Sequence, residues 1–189
     1  MNSGLEADGI SSTAYNGVFV GSSPTRLIGV IMNIFVLDEN PTVAAQYVCD
    51  SHCVKMILES AQMLCAVHPE GIAPYKRSFY NHPCTKWVRE SSSNYDWLIQ
   101  HAYALCAEYS RRYNHKDGNP KVHKSQAVIE WCDETRPELP NLGLTEHPTC
   151  MPDYCRTNSV VESYRKYYRE EKSHIAYWRK MDPPKWFAE

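Results

Sequence analysis

No apolar run in these 189 residues reaches the roughly 18 that a membrane span requires, so no membrane segment is expected. An excess of one charge is also missing. Twenty Lys and Arg stand against 22 Asp and Glu, and the net charge of −2 excludes a strongly basic nucleic-acid coat. Glycine is scarce, with eight in the chain, and five of these fall within residues 1–31, a stretch with no Cys, His or Trp. That stretch also lacks the basic start and apolar core of a secretory signal, so a cytoplasmic protein is expected. A different text opens at Met32, reading Met32-Asn33-Ile34-Phe35-Val36-Leu37. The natural start is expected there, with 1–31 a disordered or spurious leader and 32–189 a single domain long enough to bury a core.

Cysteine pairs with metal-site spacing are lacking as well. All eight cysteines follow residue 48. Cys49, His52 and Cys53 form one loose group and Cys150 with Cys155 another, but neither has a second, well-spaced pair. Cys65, Cys84, Cys106 and Cys132 stand singly. In a cytoplasmic chain these read as buried free thiols, and neither a metal nor another cofactor is expected.

Helical text dominates the rest. Asn40-Pro41 is a helix start, with an Asn cap and Pro in the first turn, and the helix is expected to run to Val67 with a break near Asp50. His68-Pro69-Glu70-Gly71 ends it. Ile34–Leu37 reads as strand-like or extended, and 72–90 as a loop with a short element around Trp87. A second long helix is predicted from the Ser91–Ser93 caps to Tyr113, a short one over Ser125–Cys132, and a last one over Ser159–Lys180. The fold class is all-α, a compact single-domain helical bundle with long loops.

Three clusters carry candidate chemistry. On the helix from Asp50, Val54, Ile57, Leu58, Ala61, Leu64 and Cys65 share one face, with Met56 and Met63 nearly opposite. Between them runs a polar strip of His52, Lys55, Glu59 and Gln62. Such a strip is either a solvated face with an ordinary Lys55–Glu59 ion pair or a cleft holding a partly desolvated carboxylate. The second cluster, His82, Lys86, Trp87 and Arg89, runs into a helix N-terminus suited to phosphate. A core Trp with a surface Arg gives the same letters. The third is Tyr164-Arg165-Lys166-Tyr167-Tyr168-Arg169. From Arg156 onward, eight basic residues face five acidic ones, which fits either a nucleic-acid surface or an amphipathic helix with its tyrosines turned inward.

Together these clusters resemble the pyrimidine-dimer DNA glycosylases of the phage T4 endonuclease V type. That family has Asp-x-His on its first long helix and its catalytic Glu seven residues after the His. Here Asp50-Ser51-His52 precedes Glu59 by that interval, and the Tyr-rich basic end of the chain is also similar. The resemblance implies a bacteriophage-type repair enzyme acting on double-stranded DNA as a monomer. It would cleave the N-glycosyl bond of pyrimidine dimers or other altered pyrimidines and then act as an AP lyase, through an amine Schiff base. It implies Glu59 as catalytic carboxylate and His52 as a holding residue. The nucleophile would be the α-amine of Asn33 if the chain were processed to begin there, or Lys55 as a fallback. DNA contacts would come from His82, Lys86, Trp87, Arg89, Arg111, Arg112, Tyr164, Arg165, Lys166, Tyr168 and Arg169. The family's arginines beside and three residues after the Glu are Leu58 and Gln62 here. Two other readings stay open: a non-catalytic DNA-binding or host-interaction protein, and a nucleotide-modifying enzyme.

Overall fold

The computed structural model describes residues 32–188, and the expectations for residues 1–31 lie outside them. Seven α-helices are found, with no strand among the described residues beyond one isolated bridge between Asn114 and Pro120. They are α1 (Pro41–Tyr47), α2 (Asp50–Val67), α3 (Pro83–Glu90), α4 (Ser92–Arg112), α5 (Gln126–Glu134), α6 (Val160–Tyr167) and α7 (Lys185–Ala188). α4 packs on α1 and α2, while α3 and α5 cover other sides of α2. The core between them is built from Ala44, Ala45, Ile57, Ala61, Leu64, Leu98, Ala102, Leu105 and Ile129. Asn40 caps α1 as its sequence predicts, accepting from the backbone N–H of Thr42 and Val43. Gly71 stands at φ 84°, a left-handed conformation that a glycine tolerates after α2 has ended.

The break predicted near Asp50 falls between α1 and α2. Ending one helix and starting another inside the core strands carbonyls that water cannot reach. Arg112 satisfies most of them. Its guanidinium, fully buried, donates to the carbonyls of Gln46 and Val48 and to the carboxylates of Glu108 and Asp50. Trp178 donates its indole N–H to the carbonyl of Tyr47, and the Asp50 N–H is taken by the carbonyl of Tyr177. Arg179 completes the joint with a 2.6 Å contact to Asp50.

This joint explains where the sequence prediction fails. The last helix does not run to Lys180. After α6 the chain widens through a π-helical turn over Tyr168–Lys172, tightens in a 3₁₀-turn over Ser173–Ile175, then straightens. Helical geometry through 176–179 would keep those carbonyls and side chains for itself. The extended path instead delivers Tyr177, Trp178 and Arg179 to the α1–α2 joint, so tertiary bonds override local propensity. Ile34–Leu37 is extended and buried without pairing as a strand. Leu58, expected on the apolar face of α2, is 41% exposed, and the buried side instead includes Cys53, Ser60 and both methionines.

Arg112→Ala would leave Glu108 and Asp50 as buried charges with fewer partners, and the carbonyls of Gln46 and Val48 with none. A loss of about 3–5 kcal/mol in urea unfolding is expected. A loss below about 1 kcal/mol, the scale of an exposed pair, would contradict the role assigned to this joint.

Candidate active site

The extended entry segment crosses α2 at Glu59. The backbone N–H of Asn33 donates to Glu59 Oε2 at 3.1 Å, and Lys55 Nζ stands 3.0 Å from Oε1, one helical turn away. The two partners differ in setting. The Lys55 side chain is 45% exposed and that of Glu59 only 4%, so the ammonium covers a carboxylate that solvent barely touches. Lys55 meets Oε1 as an ion pair rather than along a hydrogen-bond direction, and Oε1 has no formed hydrogen bond. Burial raises the Glu59 pKa above the usual carboxylate value, against the lowering effects of Lys55 and of the Asn33 N–H, so desolvation is the stronger influence.

The structure takes a part of each sequence expectation for the strip: the Lys55–Glu59 pair forms, and the carboxylate is desolvated. The strip is not a solvated face, because His52 and Glu59 are buried. Nor is it an open hollow. Two clefts of about 470 and 540 Å³ lie elsewhere, one beside His147 and Val160, the other beside His68 and Trp131.

Asn33 ties this carboxylate to the rest of the fold. Its side-chain oxygen accepts from Tyr164 Oη at 2.7 Å and its amide donates to the carbonyl of Cys150 at 2.9 Å. His52 makes no bond to Glu59. Its ring stacks on Phe35 at 4.2 Å and its Nδ1 meets Tyr168 Oη at 2.5 Å. The tyrosines of the C-terminal cluster are thus turned inward, and the two assigned to DNA, Tyr164 and Tyr168, are fully buried.

Other expected DNA contacts divide by burial. Trp87 is 3% exposed, packed edge-on to Trp97 and over His147, with its N–H on the carbonyl of Thr145, so in this fold it has no open face for a base. Arg112, spent at the helix joint, has no free face for a phosphate. Arg111 is paired with Glu108, Arg165 with Glu162 and Asp38, and Lys166 with Glu170. Arg169 donates to the carbonyl of Trp186. His82 is half-buried and caps α3 through Nδ1, and Lys86 is exposed. Arg89 lies 3.8 Å over the ring of Tyr80.

That last contact marks a surface the sequence reading missed. Phe79, 50% exposed with φ 49°, and Tyr80, 38% exposed, precede α3, with Arg77 and Arg89 both placed over the Tyr80 ring. A bulky residue at positive φ is unusual, but nothing in the letters Ser78-Phe79-Tyr80 announces it. His82, Cys84 and Cys150 also converge, with one ligand atom of each within 4.8 Å of the others.

Residues 32–119 match the family model of pyrimidine dimer DNA glycosylases. It is the family that the Asp50-Ser51-His52…Glu59 spacing resembles. The matched stretch spans α1 to α4 and ends in the turn after α4; the Tyr-rich segment 164–169 lies outside it. No curated protein and no solved structure matches the chain. No helix of the described residues is long and apolar enough to cross a membrane.

Burial, with the charges of Lys172 and Lys55, lowers His52 to about 3, and burial lowers His101 to about 4. Above pH 6.5 both rings are neutral whether the chain is folded or not, so they contribute nothing there. Below it the unfolded chain takes up protons that the folded rings refuse, and stability falls toward about pH 4. The ring-proton NMR signals of both residues should hold still from pH 7 to about pH 5 while the thermal midpoint drops. A shift centred near 6.5 would show that these rings are solvated.

Proposed function

We propose that the protein excises pyrimidine dimers or related altered pyrimidines from duplex DNA and then cleaves the strand at the resulting site, with Glu59 as the catalytic carboxylate. The observation that carries this reading is the desolvated Glu59 side chain with a nitrogen on each oxygen, Asn33 N at 3.1 Å and Lys55 Nζ at 3.0 Å. The family match over residues 32–119 supports the substrate class.

The chemistry needs an unprotonated amine, a group to take its proton and a negative charge beside the sugar. The amine nitrogen attacks C1′ of the damaged nucleotide. The C1′–N bond breaks, its electron pair leaves with the base, and the base is protonated. Loss of the amine proton and opening of the ring leave a Schiff base on C1′. A proton is then taken from C2′ and the C3′–O bond breaks, expelling the phosphate. Glu59 serves at three points: it accepts the amine proton, stabilises the positive sugar and assists removal of the C2′ proton. Its raised pKa makes it a stronger base than a solvated glutamate. The amine is the α-amine of residue 33 in a chain processed to begin there, and Lys55 in a chain that is not. In either case Lys55 must move off Oε1 for the sugar to approach.

His52, held neutral between Phe35 and Tyr168, positions α2 against the aromatic core rather than exchanging protons. Lys86 and Arg89, with Phe79 and Tyr80, supply the phosphate and stacking contacts with DNA. The covered state of Glu59 favours a second reading, in which the protein binds DNA without cutting it.

Glu59→Gln keeps the shape and removes the charge. It should lower nicking of UV-irradiated duplex by about 10²–10⁴-fold while leaving DNA affinity within a few fold. With the native carboxylate, activity should fall with acidification at a pH above the ordinary Glu value of about 4.3. A Gln variant that nicks at the native rate rules out the catalytic assignment, and a native protein that binds duplex but never nicks it supports the second reading.

A further inference from the structure

We propose that His82, Cys84 and Cys150 form a site for one zinc-class divalent cation, which clips the loop ending at Cys150 to the N-terminus of α3. The inference is independent of the glycosylase reading, since it concerns donor atoms and not the reaction. One ligand atom from each residue lies within 4.8 Å of the others, and no other such convergence of His, Cys, Asp and Glu is found among the described residues.

The sulfur separation has the right size. Cys84 Sγ and Cys150 Sγ are 3.6 Å apart. Two thiolates bound at about 2.3 Å to a tetrahedral zinc stand about 3.8 Å apart, whereas a disulfide demands about 2.05 Å. That distance alone would not suffice, because Cys65 and Cys132 stand 3.7 Å apart with no third metal ligand beside them. The imidazole separates the two pairs. Two soft thiolates with an imidazole select zinc or a similar borderline metal over magnesium or calcium. Both thiols release their protons on binding, and two thiolates neutralise a divalent cation, which suits a site whose Cys84 is fully buried.

The local fold supplies the ligands at little cost. His82 and Cys84 flank Pro83 at the first turn of α3, so two ligands come from a fixed corner. Cys150 arrives on a long segment that leaves α5 without further regular structure until the 3₁₀-turn at Asp153–Cys155. His82 Nδ1 now accepts from the Cys84 N–H at 3.2 Å. A neutral imidazole has one lone pair, so metal binding ends this long cap bond and replaces it with a metal–nitrogen bond. The ring is half-buried. The fourth position falls to water, as in zinc sites with three protein ligands.

The clip also bears on Glu59. The Cys150 carbonyl holds the Asn33 side-chain amide, and the Asn33 N–H is on Glu59. Fixing Cys150 therefore fixes the residue that presents a nitrogen to the carboxylate. His82 then serves as a metal ligand rather than a DNA contact.

Elemental analysis of the full chain, expressed with zinc and dialysed against metal-free buffer, should find about one zinc per chain. Replacement by cobalt(II) should give thiolate-to-cobalt charge transfer and the strong visible bands of a tetrahedral ion. Cys150→Ser should weaken the charge transfer and cut zinc retention at least tenfold, while Cys65→Ser changes neither. Because the native chain is read directly, a misfolded variant does not decide the matter. Native protein without metal whose Cys84 and Cys150 alkylate freely overturns the proposal. So does a native mass lower by two hydrogens with a Cys84–Cys150 disulfide, or a Cys84→Ser, Cys150→Ser chain that keeps its zinc.

Discussion

The Arg112 guanidinium, enclosed where α1 ends and α2 begins, is the constraint on which the remaining geometry depends. A buried cation is costly, and this one is tolerated because two carboxylates and two main-chain carbonyls surround it. By answering the carbonyls at the joint it lets α2 start at Asp50 rather than continue α1. The start of α2 sets which residues face inward, and Glu59 comes to rest beneath the extended segment 32–37 instead of in water. Asp50, read in the sequence as part of a catalytic-type motif, belongs to this joint through Arg112 and Arg179. The likeness in the Asp-x-His pattern is therefore carried here by a residue with an architectural task.

Around Glu59, burial and charge act in opposite directions, and burial is the stronger. Burial favours the neutral acid, while the Asn33 N–H and the Lys55 ammonium favour the anion, and the outcome is a carboxyl with a raised pKa that still has a cation beside it. A more exposed glutamate would be a weaker base, and one without Lys55 would be driven toward the protonated form. The aromatic layer behind it, Phe35 with His52, Tyr164 and Tyr168, is dry enough to keep His52 neutral, which leaves Glu59 as the titrating group of this face.

Much of the fold was legible because its signals are local. The Asn40-Pro41 start, the Pro69–Gly71 stop and the Ser91 cap act within a few residues, and the structure places helix ends beside each. The end of α6 was not legible, because the partners that pull 176–179 straight lie about the α1–α2 joint. The site divides in the same way. The spacing of Lys55 and Glu59 on one helix predicts their contact. The convergence of Cys84 with Cys150, residues far apart in the chain, follows from how the loop after α5 returns, and no spacing rule shows it. Trp87 and the tyrosines at 164 and 168 mislead for a related reason: aromatic residues beside basic ones are written alike for a stacking surface and for a core that basic side chains rim.

The central claim is that Glu59 works beside an amine that becomes bonded to the sugar. The most direct measurement is to reduce the complex with UV-irradiated duplex using borohydride, digest it and locate the sugar remnant by peptide mass spectrometry. The account predicts one adduct, on the α-amine of residue 33 or on Lys55. No adduct under conditions where strands are cut, or an adduct on a distant lysine such as Lys166, would contradict it.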